Sequence, residues 1–428
     1  MDDVRAAAER AEQASYRLAS LPLEARDRAL EAIAEALLAG SAVIEEANAR
    51  DMQAARESGL PQALVKRLRY DRTKIEESVQ SIRSLMTQDD VVGRLLSRTE
   101  LDDGLVLDKV SCPIGVIGVV FESRPDALVQ ISCLGLRSGN AVLLKGGSEA
   151  RETNQALAGA ITGALSGDDR FRDAVQLLST REEFWELLKH DDLIDLIIPR
   201  GSNQLVRSIM EGTRIPVLGH AAGICHTYVD KAADLDMAVR VCFDAKVQYP
   251  AVCNATETLL VHRDVAERFL PPMAEDYARA KVELRGDEAV RRIIEADEAT
   301  EEDWGAEYND LVLSIKVVDS LDEAVEHINR YSSHHTDAII TADAGEADRF
   351  MDLVDSSSVM WNASTRFADG YRYGLGAEVG ISTNKTHARG PVGLEGLVIY
   401  KYKLRGSGQV VADYAGRDAR RFTHRKIV

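Results

Sequence analysis

The stretch "IGVIGVVFESRPDALVQISCLGLRSGNAVLLK", residues 114–145, contains two apolar strand-like segments joined by a helical one. The segments 114–120 and 141–145 are rich in Val, Ile and Leu, and the residues between them suit one crossover helix of about 10–15 residues. The same rhythm continues in "VQLL", "LIDLIIP" and "IPVL", between residues 175 and 218. This alternation predicts a parallel, doubly wound α/β sheet.

The regions on either side extend this prediction. Residues 1 to about 96 are expected to be helical, because apolar side chains such as Leu30, Ile33 and Leu37 recur at helical spacing. Two alternating segments around Asp-Asp-Gly, within 97–113, predict a hairpin that leans on the body or on another subunit, since an isolated ribbon is only marginally stable. A second α/β region follows residue 253, and "LVIYKYKLRG" (397–406) is predicted to be a strand.

The composition narrows the classes of protein that the chain can be. It has 428 residues, 45% hydrophobic and 29% charged, and this length predicts two or three domains. The net charge of −18, without a basic patch, argues against a nucleic-acid partner. No apolar run approaches the roughly 20 residues of a membrane span, and the charged start lacks a signal-peptide core. We therefore expect a cytoplasmic protein without a membrane partner.

The cysteines separate into one unusual position and four ordinary ones. Five cysteines with no CxxC pair argue against a disulfide framework and a structural zinc site. Cys253, in "YPAVCNATETLLVH" (249–262), stands between a Tyr-Pro turn and a strand, where a nucleophile could be presented. From these residues alone the nucleophilic and the structural interpretations of Cys253 stay equally open. The others are expected to be buried packing residues: Cys112, Cys133, Cys225 and Cys242.

Two further motifs give weak signals. "GLGAEVG" (374–380) is one residue too long for the GxGxxG dinucleotide fingerprint and does not follow a βα turn in the first half of the chain. A Gly-rich turn or substrate loop is the better interpretation. His334 and His335 are adjacent, so on an extended segment they point to opposite faces and do not easily share a metal. We predict no metal site.

Several longer segments carry a resemblance to a known family. They include "SGNAVLLKGGSE" (138–149), "IPRGS" (198–202), "GICHTYVD" (223–230), the Cys253 segment and "SSVMWNASTRFADGYRYGLGAEVGISTNKTHARGPVGLEGL" (357–397). These segments closely resemble the γ-glutamyl phosphate reductase family, a proline-biosynthesis branch of the aldehyde dehydrogenase superfamily, and the likeness runs essentially from end to end.

The resemblance implies an aldehyde dehydrogenase-like α/β fold in three parts. A Rossmann-like cofactor-binding domain that lacks GxGxxG would comprise residues 1–96 and 112–224, and an α/β catalytic domain residues 225–395. A small oligomerisation ribbon with the C-terminal segment would comprise residues 97–111 and 396–428. The chain is accordingly expected to form a homo-oligomer, either a dimer or a tetramer.

The resemblance also implies NADPH/NADP as cofactor. By position, Lys145 and Ser148 fall where relatives bind the adenosine ribose, and an ammonium there could also meet a 2′-phosphate. Gly201 and Ser202 fall where relatives place a loop beside the pyrophosphate. Glu307, in "EYNDLVLSIKVV" (307–318), falls where relatives hold the nicotinamide ribose.

The catalytic assignments follow by the same comparison of positions. Cys253 becomes the nucleophile, and Ser123 stands where oxidative relatives have an oxyanion-stabilising asparagine. The usual acid in "HxxGICH" is Ala222 here, and the water-activating glutamate of oxidative relatives corresponds to His220. Five residues are candidates for binding the substrate phosphate or carboxylate: Arg124, Asn254, Arg366, Lys385 and Arg389.

The expected reaction is therefore reduction of γ-glutamyl phosphate to glutamate 5-semialdehyde and phosphate through a cysteine thioester. The substrate is a small molecule, and the resemblance also implies a functional link to glutamate 5-kinase. Two other classes stay open at this point. An ordinary NAD-dependent aldehyde dehydrogenase would share the fold and the cysteine, and a non-catalytic binding protein would tolerate loss of Cys253.

Overall fold

A computed structural model describes residues 2–220 and 222–428. The helices are α1 Asp2–Leu18, α2 Leu23–Ala39, α3 Ser41–Glu57, α4 Gln62–Leu68, α5 Arg72–Met86, α6 Pro125–Arg137, α7 Arg151–Leu165, α8 Arg181–Leu187, α9 Asn203–Gly212, α10 Leu235–Val247, α11 Arg263–Arg279, α12 Glu288–Arg291, α13 Glu301–Trp304, α14 Leu321–Tyr331 and α15 Ala344–Leu353. The strands are β1 Leu95–Asp102, β2 Leu105–Pro113, β3 Val116–Phe121, β4 Ala141–Gly146, β5 Val175–Leu177, β6 Leu196–Arg200, β7 Cys225–Val229, β8 Thr256–His262, β9 Glu283–Gly286, β10 Asp297–Glu298, β11 Val312–Val318, β12 Thr336–Ile340, β13 Ser358–Trp361, β14 Gly380–Ser382, β15 Gly390–Val392, β16 Val398–Arg405 and β17 Arg425–Lys426.

The first half of the chain builds a four-stranded parallel sheet in the order β5-β4-β3-β6. Pro125 stands at the start of α6, where its missing N–H costs nothing, and a capping box of Thr180 and Glu183 begins α8. The prediction of alternating strands and helices is confirmed here, except for "IPVL". That segment forms only a single bridge, Ile197 to Val217, because Pro216 has no N–H to extend a ladder.

The second α/β region builds a seven-stranded parallel sheet in the order β10-β9-β11-β8-β7-β12-β13. Its central strand, β8, is buried along its whole length. β7 lies beside β8, and β12 lies on the other side of β7. The amino ends of these three strands therefore meet at one edge of the sheet, and the turn containing Cys253 leads into β8.

The third sheet is antiparallel and has the order β16-β2-β1-β17. β1 and β2 form the predicted hairpin, and Gly104 in its turn has φ 65°, a conformation that glycine adopts without strain. The carboxylate of Asp108 in β2 pairs with the guanidiniums of Arg98 and Arg405. The hairpin is thus held by the C-terminal strand β16 of its own chain, with eight paired positions.

The largest hydrophobic core surrounds the four-stranded sheet and includes side chains from α1, α2, α5, α6 and α7. Ala377, Val379, Val392, Leu394 and Leu397 also belong to this core, although the expected catalytic domain extends to residue 395. The division into functional domains stays a prediction. In residues 2–220 and 222–428, none of the helices has the length and apolar character needed to cross a bilayer.

Candidate active site

The turn that carries Cys253 joins α10 to the central strand β8. Cys253 is half-buried and lies three residues before β8. Its carbonyl accepts a hydrogen bond from the Cys225 thiol, at 3.2 Å. A Cβ at Gly223 would lie 2.4 Å from the Cys253 Cα, so only a glycine at 223 lets the segment before β7 approach the turn this closely. The thiol is therefore presented on a turn, as predicted.

The other cysteines follow the expectation with one exception. Cys133, Cys225 and Cys242 are buried, and burial raises the pKa of each thiol. Cys112 is half-buried, because it lies in β2 of the third sheet rather than in a core. All five cysteines are free.

Two histidines flank the Cys253 sulfur. One ring nitrogen of His220, one of His335 and the Cys253 Sγ all lie within 4.8 Å of one another. His220 Nδ1 lies 3.0 Å from the carbonyl oxygen of Ile381, so Nδ1 carries the proton and Nε2 keeps its lone pair. Burial lowers the pKa of His220, which keeps its ring neutral at about pH 7. His220 therefore offers a neutral imidazole next to the thiol, and His335 places a second ring nitrogen there.

Two guanidiniums bring positive charge towards Cys253. Burial lowers the pKa of Arg200 and of Arg366, and a charged Cys253 acts on both in the opposite direction. Arg366 Nε donates to the Gln248 side-chain oxygen at 3.0 Å, and Arg200 lies 4.0 Å from the carboxylate of Glu378. Arg200 and Arg366 therefore lie close enough to Cys253 to interact with it electrostatically.

Ser123 is hydrogen-bonded to Glu149, which follows β4. Its backbone N–H and its hydroxyl both donate to Glu149 Oε1, at 2.5 and 2.9 Å. The backbone φ of Ser123 is 49°, in the left-handed region that favours glycine. The oxyanion role of Ser123 stays a prediction, and it requires the hydroxyl to exchange Glu149 for the substrate oxygen.

A cavity of about 750 Å³ opens beside the four-stranded sheet and brings together three of the expected cofactor residues. Lys145 at the end of β4, Ser148 in the following turn and Ser202 at the start of α9 all line it. The Lys145 ammonium donates to the Gly146 carbonyl, and burial lowers the pKa of Lys145. Ser202 caps α9, whose first N–H groups and dipole suit an anion.

The residues of this cavity fit a nicotinamide dinucleotide. Its volume is within the range of about 300–1,000 Å³ that ligand sites occupy. Asn154 lines the cavity, and its buried Oδ1 has no hydrogen-bond partner among the described residues. Arg151 and Arg181 also line it and offer guanidiniums for phosphate groups. The cavity thus combines apolar walls, an unpaired polar atom and positive charge.

Glu307 lies at the border between the two α/β regions. Its carboxylate accepts a hydrogen bond from the side-chain amide of Asn203, at 2.5 Å, and Asn203 is the first residue of α9. Gly201 and Ser202 immediately precede Asn203. The structure therefore brings Glu307, Gly201 and Ser202 together, although they are about 100 residues apart in sequence.

The expected substrate residues divide into two groups. Asn254 and Arg366 are buried beside Cys253, and the Asn254 amide donates to the Ala368 carbonyl at 2.8 Å. Arg124 is half-buried at the start of α6 and interacts electrostatically with Arg200. Lys385 and Arg389 instead pair with Asp355, at 2.6 and 3.0 Å.

Sequence reasoning overlooked two residues of the Cys253 cluster, Arg200 and His335. In the sequence His335 stands out only through its adjacency to His334, whereas in the structure the His334 Nδ1 contacts the Asp355 carbonyl at 2.7 Å. A usable signal existed, because His220, Cys253 and His335 each stand one to five residues before a strand of the same sheet. Arg200 ends β6, directly before the Gly201–Ser202 pair that was singled out.

The comparisons with known proteins agree with this geometry. Residues 1–292 match the aldehyde dehydrogenase family. The chain is 58% identical to the γ-glutamyl phosphate reductase of Pelotomaculum thermopropionicum, over 99% of this chain and 98% of that protein. It is 56% identical to the enzyme of that name from Methanosarcina mazei, over 100% and 98%. The crystal structure of γ-glutamyl phosphate reductase from Thermotoga maritima, 39% identical, superposes with a TM-score of 0.93 over 95% of this chain and 99% of that one. The chain belongs to the aldehyde dehydrogenase family.

Proposed function

We propose that the chain reduces γ-glutamyl phosphate to glutamate 5-semialdehyde, with release of phosphate, as a step of proline biosynthesis. The observation that carries the proposal is the position of Cys253, on a turn beside two histidines and within electrostatic reach of Arg200 and Arg366. End-to-end identity of 58% to a protein named for this reaction supports the choice of substrate. We further propose that the enzyme works in the cytoplasm, where five free thiols stay reduced.

In the first step the Cys253 thiolate attacks the acyl carbon of the substrate, and phosphate leaves with the electron pair of the broken C–O bond. This gives a thioester, and the covalent route divides one difficult displacement into two easier steps. His220 Nε2 or the unpaired His335 Nε2 accepts the thiol proton. The Cys253 N–H and the Ser123 hydroxyl stabilise the oxyanion.

As a member of this family the chain uses a nicotinamide cofactor, and we propose that it prefers NADPH. Bound NADPH would supply the hydride that converts the thioester to a thiohemiacetal. Lys145, Ser148 and Ser202 would hold the cofactor in the cavity that they line, with Gly201 and Glu307 beside them. Collapse of the thiohemiacetal returns the electron pair to Cys253 and releases the aldehyde.

Substrate binding follows from charge. The substrate carries an acyl phosphate and a carboxylate, and guanidinium groups bind both through bidentate hydrogen bonds. Arg124 and Arg366 interact electrostatically with the Arg200–Cys253 cluster, so we assign them to these groups. The buried Asn254 Oδ1 has no partner among the described residues, and as an acceptor it would bind the α-ammonium group of the substrate. Lys385 and Arg389 would have to break their ion pairs with Asp355 in order to bind the substrate.

We also propose a homo-oligomer built on the third sheet. β16 exposes Ile399, Tyr400, Tyr402 and Leu404 at one edge of this sheet. An exposed apolar edge strand is a surface that another chain can cover. The acyl phosphate is itself a labile group, so a kinase that phosphorylates the glutamate side chain must supply it.

The direct test is the reverse assay with glutamate 5-semialdehyde, NADP and phosphate. The native protein should reduce NADP, and Cys253→Ser should abolish turnover while the far-ultraviolet circular dichroism and NADPH binding stay unchanged. Cys112→Ser, in the third sheet, is the matched control and should keep full activity. Activity of Cys253→Ser within a few-fold of the native protein would falsify the covalent mechanism.

A further inference from the structure

The cluster of His220, Cys253 and His335 has the composition of a metal site as well as that of an active site. One donor atom from each residue lies within 4.8 Å of the other two. The two imidazole rings are 5.0 Å apart and nearly perpendicular, with 76° between their planes. Two nitrogens and one sulfur therefore converge near the amino ends of β7, β8 and β12.

In both rings Nδ1 is hydrogen-bonded, which leaves Nε2 available to a ligand. His220 Nδ1 contacts the Ile381 carbonyl at 3.0 Å, and His335 Nδ1 contacts the Thr336 hydroxyl at 2.8 Å. His335 is fully buried, and its Nε2 has no hydrogen-bond partner among the described residues. A buried, unpaired nitrogen is costly. Histidines that ligate metals characteristically have the other ring nitrogen bonded in this way.

The donor set selects the kind of cation. One sulfur and two imidazole nitrogens suit Zn²⁺ and similar borderline or soft ions, whereas Mg²⁺ and Ca²⁺ require oxygen ligands. Zn–N distances of about 2.0 Å and Zn–S distances of about 2.3 Å place tetrahedral ligand atoms roughly 3.3–3.6 Å apart. The three donor atoms lie within 4.8 Å of one another, so the cluster would have to contract by at most about 1.5 Å to reach this geometry.

Charge around the cluster is mixed. Arg200 and Arg366 interact with Cys253 and oppose a cation. Glu307 and Glu378 interact with His220 and favour one. The thiolate itself adds a negative charge when the thiol loses its proton to solvent on binding the metal.

We propose that Cys253, His220 and His335 bind one Zn²⁺ ion. The sulfur donates an electron pair to the metal, and the fourth tetrahedral position is left to water. The occupied site holds the Cys253 sulfur away from an acyl phosphate, so Zn²⁺ is a reversible inhibitor. The inhibition rests on the proposed function, whereas the binding does not.

Binding is tested with Co²⁺ as an optical probe on the full chain after removal of metal with EDTA. Co²⁺ should produce the thiolate charge-transfer band and the visible bands of a tetrahedral site, and Zn²⁺ but not Mg²⁺ should abolish them. Cys253→Ala should remove the charge-transfer band. Because loss of an outer-shell partner alone costs about 10–100-fold in affinity, His220→Gln and His335→Gln should each weaken Co²⁺ binding by about tenfold or more.

His334→Gln is the matched control, because the His334 ring contacts the Asp355 carbonyl and lies outside the cluster. Its Co²⁺ affinity should equal that of the native chain. In the native chain, which avoids any folding defect, Zn²⁺ should slow alkylation of Cys253 by iodoacetamide but not that of the half-buried Cys112. Equal Co²⁺ affinities for all histidine variants, or unchanged Cys253 alkylation, would overturn the site.

Inhibition is then measured in the reverse assay. Zn²⁺ should stop NADP reduction by the native chain and by His334→Gln, and EDTA should restore it. A tetrahedral Co²⁺ spectrum in a chain that does not oxidise the semialdehyde would leave the metal site standing and contradict the proposed function. Full activity at a Zn²⁺ concentration that displaces Co²⁺ would contradict the inhibitory role.

Discussion

The ammonium of Lys246 donates to the carboxylate of Glu257 at 2.5 Å, and both side chains are completely buried. Lys246 is in the last turn of α10 and Glu257 is in β8, so the ion pair closes the turn that carries Cys253. Burial lowers the pKa of Lys246 and raises that of Glu257, which shows the cost of keeping these charges away from water. The pair therefore connects the stability of this region to the position of the thiol.

Lys246→Met should destabilise the protein and loosen this turn. It leaves Glu257 buried without its partner, for which a loss of about 3–5 kcal/mol in the free energy of unfolding is typical. Urea unfolding measures the loss, and the iodoacetamide rate at Cys253 should rise. Lys189→Met is the control, since Lys189 pairs with Glu186 at the surface and its loss should cost less than about 1 kcal/mol. Similar losses for the two variants would show that the buried pair has no special role.

Lys145→Ala should weaken NADPH binding more than NADH binding. Lys145 is buried at the wall of the 750 Å³ cavity, and an ammonium there can meet the 2′-phosphate that only NADPH carries. Dissociation constants from fluorescence titration of both cofactors measure the difference, with Lys189→Ala as an external control. Equal losses for NADPH and NADH would place the Lys145 ammonium on a group that the two cofactors share.

Ser123→Gly separates the oxyanion role of Ser123 from its structural role. Glycine accepts φ 49° without strain, so the substitution removes the hydroxyl and keeps the backbone. If the hydroxyl stabilises the oxyanion, kcat should fall by about 10²–10³-fold while NADPH affinity holds. Glu149→Gln is the companion variant, because the Glu149 carboxylate accepts a hydrogen bond from the Ser123 hydroxyl in this structure. An unchanged kcat for Ser123→Gly would assign the hydroxyl to Glu149 alone.

Part of the fold and part of the candidate site could be predicted from the sequence. The turn position of Cys253 and the strand rhythm from 114 onward could be predicted, because turn residues and apolar periodicity are local features. The sequence shows that His220, Cys253 and His335 each precede a strand, but not that these strands, β7, β8 and β12, are adjacent in one sheet. Nor does it show that Arg200, which ends β6 in the other parallel sheet, approaches Cys253. Nor could the ion pair of Lys385 and Arg389 with Asp355 be seen in the sequence, since separate loops form it.

Leu404→Glu tests the proposed oligomer surface. Leu404 is exposed on β16 beside Tyr402, and a carboxylate there would have to be buried without a partner if another chain covers this edge. The mass measured by light scattering should fall towards that of a single 47.0 kDa chain. Val43→Glu is the control, because Val43 is equally exposed on α3 but lies outside the third sheet. An unchanged mass for Leu404→Glu would contradict the role of β16.

The last prediction concerns water at the thioester. Oxidative aldehyde dehydrogenases activate water with a glutamate, and the resemblance implies that His220 takes that position here; its Nδ1 contacts the Ile381 carbonyl. Without a carboxylate base at this position the thioester should resist hydrolysis and wait for phosphate. Semialdehyde and NADP without phosphate should therefore give about one NADPH per active site, and added phosphate should start sustained turnover.

The opposing interpretation is that His220 is itself the base, since burial lowers its pKa and a neutral imidazole can activate water. The two interpretations differ in the phosphate-free rate. If His220 activates water, the native chain should release glutamate continuously without phosphate, and His220→Gln should stop this release while phosphate-dependent turnover persists. Sustained phosphate-free turnover would thus favour an ordinary aldehyde dehydrogenase. A single turnover that only phosphate extends would favour the reductase, because only an acyl transfer to phosphate reverses the proposed first step.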